Sequence, residues 1–162
     1  MPIQKWHRSD DWRNWKALHD CRLEVEGNRL VIHSSGADPH LAARVDFPTG
    51  HYRVTVRLAE PESLPPGFSV YWATRKEGHF DESRHVFVQP SKKREEQTAV
   101  LEFQAEAPVT SLRIDPMGQP GRLVLESVTV ARVELFPLIL EGVRQQGGRV
   151  EFDVRNVSDR AV

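Results

Sequence analysis

Tyr71 and Trp72 stand side by side in a stretch, Phe68 to Thr74, that alternates like a β-strand. A flat aromatic face beside hydrogen-bonding groups is the chemistry that holds a sugar ring, which has an apolar C–H side and polar hydroxyls. Downstream, the polar loop Arg75 to Arg84 carries His79, Phe80 and Asp81 at its tip. Loops on a rigid scaffold are the usual place for recognition. Arg113 precedes Asp115 by two, so in a strand they share a face. They could pair with each other or offer hydrogen bonds to a sugar. Tyr71, Trp72, His79, Phe80 and Arg113 are therefore the candidate carbohydrate-binding residues. Each has a plainer alternative. Phe68, Val70 and Trp72 share one face and Ser69, Tyr71 and Ala73 the other, so Trp72 could be core and Tyr71 a lining of the outer sheet. Phe80 could tuck against the sheet, and Arg113–Asp115 could be a local ion pair.

Other chemistries have less behind them. His79, Asp81, Glu82 and His85 offer metal-ligand types, but zinc sites show tighter patterns and calcium prefers clustered oxygens. No metal is assigned there. His7, His19, His33, His40 and His51 are scattered along the chain. Glycoside hydrolysis needs two cooperating carboxylates, and no pair stands out by spacing. There is no Gly-x-Ser-x-Gly elbow, phosphate loop or His-Glu-x-x-His. The expectation is a protein that is not an enzyme.

These residues need elements to position them, and the chain supplies strands. Cys21, Leu23 and Val25 alternate with Arg22, Glu24 and Glu26, and Gly27-Asn28 reads as a hairpin turn into Arg29 to Ser34. Leu41, Ala43, Val45 and Phe47 alternate up to the break at Pro48-Thr49-Gly50, and Tyr52, Val54, Val56 and Leu58 follow. Further strands are expected near Phe68–Thr74, His85–Gln89, Glu96–Gln104, Ser111–Asp115 and Arg122–Val133, separated by the turn-rich stretches Pro61–Gly67, Arg75–Arg84 and Asp115–Gly121. In the last strand the apolar parity shifts between Leu125 and Val128, which predicts a bulge. One helical turn is expected near the N-terminus, capped by Ser9 and carrying Trp12 and Trp15. With Trp6, these tryptophans would plug one end of the fold. Eight to ten strands without an amphipathic helix predict an all-β fold: an antiparallel β-sandwich, first of all a jelly roll, spanning 1–135. Residues 136–162 read as a β-hairpin. It either docks on the sandwich or opens a second domain, and the loop-like run Asn156 to Arg160 favours a fragment of something longer.

The bulk numbers fit this reading. The chain has 162 residues, 39% of them hydrophobic, and 22 basic against 23 acidic residues give a formal net charge of -1. The charges are interleaved, which leaves no electrostatic footprint for nucleic acid or an anionic membrane. No apolar run reaches the ~20 residues of a membrane span. Residues 1–11 do not read as a secretion signal, so in an exported protein the signal would have been removed or would lie upstream of this segment. Cys21 is the one cysteine, which rules out an internal disulfide.

The runs "NRLVIHSSGADPHL", "GHYRVTVRLA", "VYWATRKEGHF" and "SLRIDPMGQPGRLVLESVTVARVEL" resemble the galactose-binding-like jelly rolls of the carbohydrate-binding-module type. Such domains are appended to bacterial sulfatases, glycosidases and polysaccharide lyases. The resemblance covers Trp12 to Leu135 and rests on Gly36-Ala37-Asp38-Pro39, Tyr71-Trp72 and Leu112 to Pro116 followed by Gly121. The tail "VRQQGGRVEFDVRNVSDRAV" is similar to the opening strands of an immunoglobulin-like domain. The resemblance implies a non-catalytic accessory module of an exported, polysaccharide-processing protein. Its partners would be a polysaccharide or oligosaccharide and the neighbouring domains of its parent chain. Many such jelly rolls hold a structural calcium in an early loop, but no ligand set can be assigned here, and no cofactor is expected. The alternative is a structural spacer or domain-docking module without a sugar ligand.

Overall fold

The computed structural model describes residues 1–59, 65–90, 97–118, 120–134, 138–146 and 149–156. Among the described residues there are thirteen strands: β1 (Pro2–Trp6), β2 (Trp15–His19), β3 (Cys21–Glu26), β4 (Arg29–Ser34), β5 (His40–Phe47), β6 (Gly50–Leu58), β7 (Gly67–Thr74), β8 (His85–Val88), β9 (Thr98–Ala105), β10 (Val109–Met117), β11 (Gly121–Val133), β12 (Leu138–Gln146) and β13 (Arg149–Asn156). A five-stranded sheet has the order β2-β5-β10-β7-β8. A six-stranded sheet has the order β3-β4-β11-β6-β9, with β1 also paired to β11. All pairings are antiparallel. The two sheets stack as a jelly-roll sandwich, the all-β architecture that the two-residue period predicts.

The alternation does the sorting. Tyr52, Val54, Val56 and Leu58 of β6, Ala99, Leu101, Phe103 and Ala105 of β9, and Phe68, Val70 and Trp72 of β7 all point into one buried core. Aromatic rings link the two sheets inside it. Phe47 lies 5.5 Å from Tyr52, Tyr52 lies 5.4 Å from Phe103, and Phe103 stacks on Trp72 at 4.3 Å. The Tyr52 hydroxyl is buried and donates to the Pro48 carbonyl in the turn from β5 to β6. The bulge expected in the long strand is present as a register shift between Leu125 and Ser127.

The N-terminus holds more order than its polar sequence suggests. Strands β1 and β2 were not among the expected elements, and with them eleven strands enter the two main sheets. Paired edge strands need few apolar residues when the sheet beneath is already formed, so the two-residue signal is weak there. Ser9 is not the helix cap. The single turn is a 3-10 helix at Asp11–Asn14 preceded by Asp10, and Trp15 begins β2 instead of continuing the helix. The ordering group is Asp11, whose carboxylate accepts from the His7 and Arg8 backbone N–H groups at 3.0 Å each. Trp6, Trp12 and Trp15 are all buried, Trp6 and Trp15 sit edge to face at 5.3 Å, and Trp12 Nε1 donates to the Asn28 carbonyl at 2.9 Å. They close the end of the sandwich that carries the Gly27-Asn28 turn.

Strands β12 and β13 form a two-stranded sheet of their own and join neither main sheet. The expected boundary at Phe136-Pro137, the residues Pro61–Leu64, Glu96, Gln119 and Leu135, and the tail from Val157 lie outside the described residues.

Two outcomes follow. Phe103→Ala empties the middle of the aromatic chain and should cost about 3–5 kcal/mol in chemical denaturation, as for other buried aromatics. Acid should also weaken the fold. Hydrogen bonds hold the carboxyls of Asp11, Glu24, Glu77, Asp81 and Glu102 below their ordinary range, chiefly from the His7 N–H, Arg22, Thr74, Ser83 and Arg53 respectively. A depressed folded-state value adds stability above the unfolded value near ~4 and loses it as pH falls through the folded value. The urea midpoint should therefore be lower at about pH 3 than at about pH 6.

Candidate functional site

With the apolar residues of β7 turned inward, the opposite parity faces out. Register fixes which outward side chains become neighbours. In one row across the sheet, His85 opposes Tyr71, Tyr71 opposes Arg113, Arg113 opposes Ala42, and Ala42 opposes Lys16. In the next, Phe87 opposes Ser69 and Ser69 opposes Asp115. His40 reaches Asp115 at 3.4 Å and opposes His19 at the far edge. Adjacent strands lie about 4.8 Å apart, so each row is a line of side chains running across the strands.

Tyr71 is the centre of this face, and its ring is enclosed. The Arg113 guanidinium lies over it at 4.2 Å, and the His85 ring stacks on it at 4.9 Å and 19°. Arg113 and His85 come from the strands on either side of β7, so the two groups cover opposite ring faces. The Tyr71 hydroxyl donates to both Glu82 carboxylate oxygens at 3.2 Å. Burial first, then the nearby Glu82 charge, pushes the phenol above its ordinary value and keeps it protonated. Arg113 Nε donates to Asp115 Oδ1 at 2.7 Å, and its Nη2 donates to the other carboxylate oxygen. That pair raises the guanidinium further above its usual value. Phe80 approaches Arg113 at 5.8 Å from the loop side.

The structure thus gathers three of the five candidates, Tyr71, Phe80 and Arg113. It does not gather the other two. Trp72 is 7% exposed, points inward and stacks on Phe103. His79 is exposed, and its Nδ1 faces the Glu77 carbonyl at 2.8 Å. Asp115, His40, Glu82 and His85 complete the cluster, and Asp38 reaches it through His40 at 2.9 Å. The sequence reading paired Asp115 with Arg113 and weighed Glu82 and His85 only as metal ligands. Phe87 escaped notice too, although its parity with His85 was readable.

Metal ligation has a different geography from the one expected. Among the described residues, three ligating atoms converge at Asp38, His40 and Asp115 and at Glu24, Glu26 and His33, and not at His79, Asp81, Glu82 and His85. At both places an arginine already supplies positive charge. Arg113 holds Asp115, while Arg22 holds Glu24 at 3.1 Å and Arg122 holds Glu26 at 2.8 Å.

A separate hollow of about 440 Å³ opens beside the loop, lined by Trp72, Thr74, Glu77, Arg84, Gln104 and Glu106. Its Arg84 and Glu77 face each other at 3.6 Å.

Comparison with solved structures gives this architecture a context. A low-affinity xylan-binding module of carbohydrate-binding family 86 from Roseburia intestinalis superimposes with a TM-score of 0.56 at 10% identity, over 80% of this chain and 95% of that one. A family 35 module from Paenibacillus barcinonensis gives 0.53 at 13% identity, over 80% and 99%. The fold is that of the carbohydrate-binding modules. A third match, with a TM-score of 0.58 at 13% identity, is the Clostridium thermocellum endo-1,4-β-D-xylanase 10B, whose structure holds CBM22-1 and GH10 modules with xylohexaose. This chain covers 29% of it and is itself covered to 83%. No family model matches the sequence, and no curated protein matches it. At these identities the carbohydrate-binding-module fold is what is shared. Among the described residues, no helix is long and apolar enough to cross a membrane.

The Arg113–Asp115 pair should behave as part of the frame. Its side chains are 17% and 8% exposed, against 68% and 81% for Arg75–Asp46. Asp115→Asn leaves a largely buried guanidinium uncompensated and should cost about 2 kcal/mol or more. Asp46→Asn should leave the melting temperature nearly unchanged.

Proposed function

We propose that this chain is a carbohydrate-binding module that holds a polysaccharide on the outer face of its five-stranded sheet. The observation that carries the reading is the cluster of Tyr71, Arg113, Asp115, His40 and Phe80. It places rings and hydrogen-bonding groups together on one face of a rigid sandwich. The other sheet's outer face supports it by contrast. There Arg53 holds Glu102 at 2.7 Å, His51 joins the same carboxylate at 3.1 Å, and Arg57 holds Glu126 at 3.3 Å. That surface is a lattice of cross-strand ion pairs. Trp72 takes part from beneath, as the inward anchor of β7, and His79 belongs to the loop that carries Phe80.

Binding here is equilibrium adhesion without chemistry. A glycosidase needs one carboxyl free to give up a proton, whereas both oxygens of Asp115 are bonded to Arg113. We read the module as a non-catalytic accessory part of a larger, exported bacterial protein that processes polysaccharides. We read β12 and β13 as the opening of a second, immunoglobulin-like unit. Their pairing only with each other is what supports that reading. The spacer alternative draws on the enclosure of Tyr71, which makes that ring a structural part.

The test is affinity electrophoresis in gels cast with soluble arabinoxylan, mixed-linkage β-glucan or galactomannan. Retardation in at least one is expected, with a dissociation constant between millimolar and micromolar, about 4–8 kcal/mol. Phe80→Ala should weaken that binding roughly tenfold, about 1.4 kcal/mol, with an unchanged circular dichroism spectrum. Normal mobility of the wild-type protein in all three gels would defeat the proposal.

A further inference from the structure

Phe87 has no part in the stack around Tyr71, yet among the described residues it is the large aromatic that this face leaves exposed. It is 50% exposed, whereas Trp72 and Tyr71 are 7% and 8% exposed. Trp72 is turned inward, and both faces of Tyr71 are covered.

Phe87 is also held in place. A β-carbon added at Gly67 would lie 2.2 and 2.5 Å from two of its ring carbons. The ring therefore rests on the Gly67 backbone, in space that any other residue's side chain would fill. Gly67, Ser69 and Tyr71 share the outward parity of β7, so the seated ring lies on the same face as the cluster. One side of Phe87 is packed, and the remainder meets solvent.

Its neighbours suit a sugar. Ser69 opposes Phe87 across the strand pair, and Asp115 opposes Ser69. Ser69 and Asp115 are 7% and 6% exposed and form the floor of that row. The polar groups open on this face beside the ring are therefore those of His85 and Glu82, whose side chains are 35% and 81% exposed. The charges favour a neutral sugar. In these two rows the arginine is bound to Asp115, and Lys16 sits on β2 at the opposite edge of the sheet.

We propose that Phe87, seated on Gly67, is the stacking platform of the sheet face and takes a pyranose of an uncharged polysaccharide. This rests on the reading of that face as the binding surface.

The same three gels test it, with thermal melts as the control for folding. Phe87→Ala should reduce retardation about tenfold or more, while Phe87→Trp should keep it. Gly67→Ala should weaken binding by displacing the ring even though Phe87 is retained. Val100→Ala, at an exposed position on the other sheet's outer face, should bind like wild type. Equal retardation of wild type and Phe87→Ala would overturn the platform and leave the binding reading standing. Absence of retardation for wild type itself would remove both. Sedimentation supplies the remaining arm: a dimer that Phe87→Ala dissolves, with polysaccharide binding unaltered, would make the occupant a second copy and overturn the assignment.

Discussion

The stack of Trp72 on Phe103 joins the two sheets, and it fixes the phase of β7. A strand has two faces, and a slip of one residue would exchange them. With Trp72 committed to the core, Val70 and Phe68 must follow it inward, and Gly67, Ser69 and Tyr71 must face out. Register then carries the choice across the sheet, bringing Arg113 beside Tyr71 on one side and His85 on the other. The composition of the outer face is thus a consequence of core packing. No outward residue needs to choose its own neighbours.

That dependence explains what was legible in the chain. Period two is a local property, so most strands of the sandwich, the Gly27 turn and the bulge near Leu125 could be read directly. The same period showed that Tyr71 and Trp72 face opposite ways. It could not show which of the two faces out, because that depends on where Phe103 lies some thirty residues later. The enclosure of Tyr71 was hidden for a related reason. Arg113 and His85 flank it only through pairing across β10 and β8, and no short spacing records such pairs. The seat of Phe87 is of this kind too, since Gly67 is twenty residues away. Strands β1 and β2 were missed because their partners, not their own side chains, supply most of the reason to be extended.

Enclosure also changes what a side chain can contribute. A tyrosine with an arginine on one ring face and an imidazole on the other has no face left for a ligand. Its hydroxyl is bonded to Glu82 as well. What it supplies is fixed position. Arg113, gripped by Asp115 and laid on Tyr71, has little rotamer freedom to lose on binding, and a pre-ordered surface avoids that part of the cost of association. Stacking area must then come from a ring outside the knot, and Phe80 and Phe87 occupy its two flanks, one on the loop and one on the edge strand.

The two outer faces of the sandwich diverge by the same logic. Both have polar alternation, and both pair charges across strands. On the six-stranded sheet the pairs are exposed arginine–glutamate bonds that leave a hydrated surface. Such pairs add little to stability and are readily screened. On the five-stranded sheet the pair is buried beside aromatic rings, and neutralising it in place leaves a face with donors, acceptors and apolar patches but little net charge. A surface of that kind attracts neither polyanions nor polycations over distance. It discriminates by contact alone, through the fit of a flat ring and the reach of hydroxyls, which is the kind of recognition an uncharged polysaccharide permits.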